Sequence, residues 1–105
     1  KIKVFHKVPY ASPPVINDNF LTDIINDSAI STLGHKNVIN LEKPSMGGED
    51  FSFYLELCPG SYFRIGSNDG KTKDLHTPDF DINEECIFTG IKVLVESIKK
   101  YFQSV

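Results

Sequence analysis

Asn17-Asp18-Asn19-Phe20-Leu21-Thr22-Asp23-Ile24-Ile25-Asn26-Asp27-Ser28-Ala29-Ile30-Ser31-Thr32-Leu33-Gly34, followed closely by Val38-Ile39-Asn40-Leu41, is the stretch on which the fold reading turns. Phe20, Leu21, Ile24, Ile25, Ala29, Ile30 and Leu33 recur at steps of three and four, which predicts one apolar helix stripe over about four turns. Asn17 or Asp18 can accept a hydrogen bond from an orphan N–H of the first turn. Gly34 supplies the left-handed stop. Val38, Ile39 and Leu41 then predict a short strand, ended by Pro44. A helix leading directly into a strand is the signature of a layered fold.

The flanks repeat this alternation. Upstream, Ile2, Val4, His6 and Val8 fall on one face with Lys3, Phe5 and Lys7 on the other, a strand with one greasy side. Ser12-Pro13-Pro14 ends it, because proline has no N–H to donate. Downstream, Ser45-Met46-Gly47-Gly48-Glu49-Asp50 is a tight turn whose two carboxylates suit a helix start. Phe51, Tyr54, Leu55 and Cys58 then follow helical spacing as far as Pro59-Gly60. Tyr62, Phe63 and Ile65 predict a third strand, and Ser67–Asp74 a polar loop. Asp81 or Asn83 caps the last helix, with the stripe Ile87, Ile91, Leu94, Val95, Ile98 and Phe102 and with Lys99 and Lys100 in its last turns. Strands separated by helices predict an α/β fold, a largely parallel layered sheet with flanking helices.

Composition narrows the function. The chain has 105 residues, enough for one small domain. Its formal net charge of −3 argues against a nucleic-acid partner, which would need a basic face. No apolar run approaches the roughly 20 residues of a membrane helix. The start, Lys1-Ile2-Lys3-Val4-Phe5-His6, has no signal-peptide pattern and reads as a cut partway along a strand. Cys58 and Cys86 fit no CxxC spacing, so two free thiols in a reducing, cytoplasmic setting are expected.

Chemistry has few places to live. His76, in Leu75-His76-Thr77-Pro78, sits where a neutral imidazole could ligate a metal, though on composition alone a surface histidine without a role is the more ordinary reading. Gly47 and Gly48 could offer backbone N–H groups to a carboxylate or oxyanion, or could simply form a turn before a capped helix. Glu49 and Asp50 could act as ligand or base, or could complement the helix dipole. His6 and His35 lack ligand spacing to His76 and read as bland.

Taken in order, Pro13-Pro14-Val15-Ile16-Asn17-Asp18, the run 44–54 with Met46-Gly47-Gly48-Glu49-Asp50-Phe51, Cys58-Pro59-Gly60, Phe63-Arg64-Ile65-Gly66 and Leu75-His76-Thr77-Pro78-Asp79-Phe80-Asp81 resemble one family. The chain is similar to the C-terminal end of the zinc amidohydrolases that include hippurate hydrolase, indole-acetyl-amino-acid hydrolase and N-acetyldiaminopimelate deacetylase. These belong to the wider aminoacylase and carboxypeptidase metallopeptidases. The resemblance implies a catalytic α/β domain interrupted by an inserted lid domain, with residues 1–12 ending the lid and 17–105 closing the catalytic domain. It implies His76 as the last metal-ligating histidine and Gly47, Gly48 and Glu49 as a substrate-binding loop. Zinc or manganese would be held mainly by ligands upstream of Lys1, with a Glu base there too. A metal-activated water would then attack the amide of a small N-acyl amino acid. The resemblance further implies a homo-oligomer and an isolated chain without activity. The rival reading is a freestanding α/β binding or interaction module.

Overall fold

The computed structural model describes residues 2–7, 11–70 and 75–105. Three α-helices lie among them: α1 (Asn19–Leu33), α2 (Phe51–Leu55) and α3 (Glu85–Ser104). A single 3-10 turn, His35–Asn37, follows α1.

Helix α1 forms where its periodicity places it. Asp18 is the N-cap, in extended geometry, with Oδ1 accepting the Leu21 N–H at 2.9 Å. Gly34 has φ 83°, a left-handed conformation that glycine adopts without Cβ strain, and its N–H closes on the Ile30 carbonyl at 2.9 Å. Within α1 the hydroxyls of Thr22, Ser28 and Thr32 donate back to the carbonyls of Asp18, Ile24 and Ser28, each at 2.7 Å. A wholly buried Ser28 therefore leaves no unmet polar group.

Helix α3 packs on α1, and Phe20 in the first turn of α1 reaches Tyr101 in the last turn of α3, ring centroids 6.4 Å apart. The face that α3 buries differs from the expected one. Gly90, Val93 and Ser97 are buried, whereas Ile91 is 51% exposed, Ile98 57% and Phe102 72%. Small residues let two helix backbones approach, and the buried positions of α3 are its small ones with Val93. The wide stripe of Ile87, Ile91, Leu94, Val95, Ile98 and Phe102 meets solvent instead. Gly90 also gives passage to Ile65: a Cβ there would stand 2.6 Å from Ile65 Cδ1. At the head of α3 one of the two expected residues, Asn83, satisfies a first-turn N–H through its side chain, and Asp81 does not reach the helix. Glu84 takes the cap position, while Asn83 Oδ1 accepts the Glu85 N–H at 3.0 Å and Asp81 Oδ1 takes that of Ile82. Lys99 and Lys100 fall short of the last turn, because the helix continues to Ser104.

The expected α/β layered sheet is overturned. Among the described residues there is no strand; 2–7, 38–41 and 62–65 all lie outside any ladder. A strand needs a partner backbone for its N–H and C=O groups, and apolar alternation cannot supply one. The main chain near Tyr62 finds its partners at α1's head instead. The Asn17 side-chain amide accepts the Tyr62 N–H at 2.8 Å and donates to the Tyr62 carbonyl at 2.9 Å, while Asp18 N–H reaches the Gly60 carbonyl at 2.8 Å. Residues 1 and 8–10 of the expected first strand, and 71–74 of the expected polar loop, lie outside the described residues.

Candidate functional site

Two loops carry the residues singled out for function. The first, 45–50, is anchored by Glu49. Its carbonyl accepts the Ser52 N–H at 3.1 Å and the Ser52 hydroxyl at 2.6 Å, and its Oε1 accepts the Phe51 N–H at 3.2 Å. Glu49 thus complements the first turn of α2, as one of the two readings of this carboxylate required. The Phe51 N–H, first of all, holds its carboxyl below the usual 4.5; the nearby Tyr62 hydroxyl, the Arg64 charge and the Asp50 N–H act in the same direction, and desolvation opposes them. Tyr62 stacks at a tilt on Phe51, ring centroids 5.7 Å apart. A Cβ on Gly48 would stand 3.1 Å from Ser12 Oγ. Gly47 N–H bonds Ser45 Oγ at 3.3 Å, and Met46 between them is almost fully exposed.

The second loop presents His76, which is exposed and has φ 68°, the one left-handed non-glycine among the described residues. Histidine is enriched several-fold in that region over most side chains, but the conformation still costs energy. Thr77 and Phe80 close a turn through Phe80 N–H to the Thr77 carbonyl at 3.1 Å. Pro78 sits within that turn and restricts its backbone. His6 and His35 are exposed, and the His35 carbonyl merely accepts the Val38 N–H.

The structure brings Gly48 to Ser12 and Glu49, through Phe51, to Tyr62, with the Arg64 charge felt at Glu49; sequence reasoning assigned none of Ser12, Tyr62 and Arg64 to the site. It had read Tyr62 only as an apolar strand position. The signal was absent locally, since Asn17 and Tyr62 are 45 residues apart. His76 stands on its own loop, and no three His, Cys, Asp or Glu side chains among the described residues group to hold a metal. Cys58 is exposed and Cys86 half-buried, both unpaired as expected. An open depression of about 590 Å³ lies at the head of α1 against Leu55–Gly60, and includes none of Gly47, Gly48, Glu49 or His76.

Comparison with known proteins spans almost the whole chain. Residues 2–100 match the model of peptidase family M20/M25/M40. A probable hydrolase of Synechocystis is 33% identical over 96 residues, 89% of this chain and 24% of that protein. The N-acetyl-L-cysteine deacetylase of Bacillus subtilis is 38% identical over 94 residues, 88% of this chain and 21% of that protein. A putative glutamate–cysteine ligase of Rhodococcus jostii is 36% identical over 85 residues, but these make up only 11% of that protein, so its name describes mostly sequence without a counterpart here. The chain spans about a quarter or less of each of these relatives. No solved structure matches it.

Proposed function

Since the chain belongs to peptidase family M20/M25/M40, we propose that it serves as the C-terminal part of a metal-dependent amidohydrolase acting on N-acyl amino acids or related small substrates, and that alone it is inactive. The observation that carries this reading is the continuous family match over residues 2–100, which takes in both loops. The deacetylase and hydrolase names of two relatives support amide hydrolysis as the reaction class. In this reading residues 1–12 belong to the lid and 17–105 to the catalytic domain. Gly47, Gly48 and Glu49 border the substrate, and His76 is a metal ligand. The strained backbone of His76 supports its assignment, because a left-handed histidine costs stability that a glycine at the same place would not.

The described residues do not form a metal site by themselves. Zinc or manganese would therefore need ligands beyond the described residues. The unpaired Cys58 and Cys86 support a cytoplasmic setting, and the exposed apolar face of α3 supports a homo-oligomer or an intramolecular partner.

The test uses the full-length polypeptide that carries this chain, assayed for amino acid released from N-acetyl and N-benzoyl amino acids. His76→Ala should lower the rate by at least about two orders of magnitude, the scale on which loss of a catalytic group registers. His6→Ala and His35→Ala should stay close to the parent. The isolated chain with added zinc or manganese should show no turnover. Equal behaviour of the three variants would remove His76 from the site, and a full-length protein without hydrolysis would leave the binding-module reading in its place.

A further inference from the structure

We propose that Asn17 and Tyr62 are positioning residues for the Gly47-Gly48-Glu49 loop, with Asn17 fixing the backbone of Tyr62 and Tyr62 holding the loop through Phe51 and Glu49. This deepens the reading of that loop as a substrate-binding element and rests on it for its kinetic part.

The path is continuous. Asn17 directly precedes the Asp18 cap of α1, so its backbone is tied to a helix. Its side-chain amide makes both a donor and an acceptor bond to one residue, at 2.9 and 2.8 Å, which fixes direction as well as distance. Two further ties keep the segments together: Asp18 N–H to the Gly60 carbonyl at 2.8 Å, and the Thr22 and Ser61 hydroxyls at 2.9 Å. The Tyr62 ring then lies against Phe51 at 5.7 Å, and the Phe51 N–H holds Glu49 Oε1 at 3.2 Å. Tyr62 thus reaches Glu49 through Phe51, whose ring it contacts and whose N–H holds the carboxylate. Ser12 lies beside Gly48, its Oγ 3.1 Å from where a Cβ would stand. With α2 only five residues long, the loop has little rigidity of its own and takes its place from this clamp.

Hydrogen exchange by mass spectrometry and steady-state kinetics, both on the full-length polypeptide, test the proposal. Asn17→Ala should speed exchange of the amides at 46–52 by about tenfold or more, with α3 unchanged, as local opening without global unfolding requires. KM for an N-acetyl amino acid should rise about tenfold while kcat stays within about threefold, the pattern of lost ground-state binding. Asn17→Asp keeps the acceptor for the Tyr62 N–H and loses the donor, so it should recover part of both effects. Unchanged exchange at 46–52 in Asn17→Ala would overturn the clamp. Faster exchange with kcat falling and KM unchanged, unrescued by Asn17→Asp, would reduce it to a fold-stability role. If the unmodified full-length protein hydrolyses no N-acyl amino acid, the functional reading fails separately, and the exchange result still decides whether Asn17 holds the loop.

Discussion

Asp18 does two jobs at one position. Its carboxylate caps α1 and its own N–H binds the Gly60 carbonyl, so helix start and loop docking share a residue. Asp18→Ala should cost about 1 kcal/mol in urea denaturation, the usual worth of an N-cap, and Asp18→Asn should recover most of it. His76 separates stability from function in the opposite direction. With φ at 68°, His76→Gly should be more stable than His76→Ala by about 1 kcal/mol, since only alanine meets the Cβ clash of the left-handed region. Thermal melting of the two variants checks this. Glu49 sets an acid limit. Its folded carboxyl lies below the ordinary 4.5, so its contribution is fully present above that value and is lost as pH falls through the lowered one. Glu49→Gln should therefore flatten the dependence of stability on pH below 4.5 in denaturation series run at several acid pH values.

Between elements, the contact of Gly90 with Ile65 is the most testable. Glycine inside a helix costs about 1 kcal/mol relative to alanine. A Cβ at Gly90 would press on the flexible end of Ile65, at 2.6 Å from Cδ1. Gly90→Ala alone should thus change stability little, because helix propensity and a displaced Ile65 rotamer offset one another. In an Ile65→Ala background the same change should stabilise by about 1 kcal/mol. A double-mutant cycle in urea reads the coupling, and additive values would show that the two residues do not meet. The limits of α1 were legible in sequence because Asp18, the three-and-four spacing and Gly34 all act within a turn of their targets. Which residue would begin α3 was less so: Asp81, Asn83 and Glu84 are all polar, and only the path of the preceding loop, with Asn83 N–H bound to the Ser67 carbonyl, selects among them.

As a whole the molecule is open. Its radius of gyration is 17.7 Å and its extents 64 × 39 × 21 Å, whereas a compact chain of this length would have a radius of about 13 Å. Val93 is the one buried hydrophobic residue among the described ones, while Ile87, Ile91, Ile98 and Phe102 are each more than half exposed. A stripe that size seldom stays bare in water. The isolated chain should self-associate in sedimentation equilibrium, and Ile91→Glu with Ile98→Glu should shift it toward monomer while the helix signal in circular dichroism persists. A monomer over a wide concentration range would argue against an adhesive stripe. The sequence by itself determined the main helices, the two free thiols, the two loops worth testing and the family resemblance. Each depends on residue type and on spacing over a few positions, or on a motif order that survives without any contact. Only the tertiary structure decided that Asn17 holds the Tyr62 backbone, that α3 buries Gly90, Val93 and Ser97 rather than its larger stripe, and that no sheet forms among the described residues. Those outcomes depend on which partner surfaces are present. Periodicity marks a face or a strand as able to pair, but pairing needs a second surface in space, and that is not written in the spacing of the first.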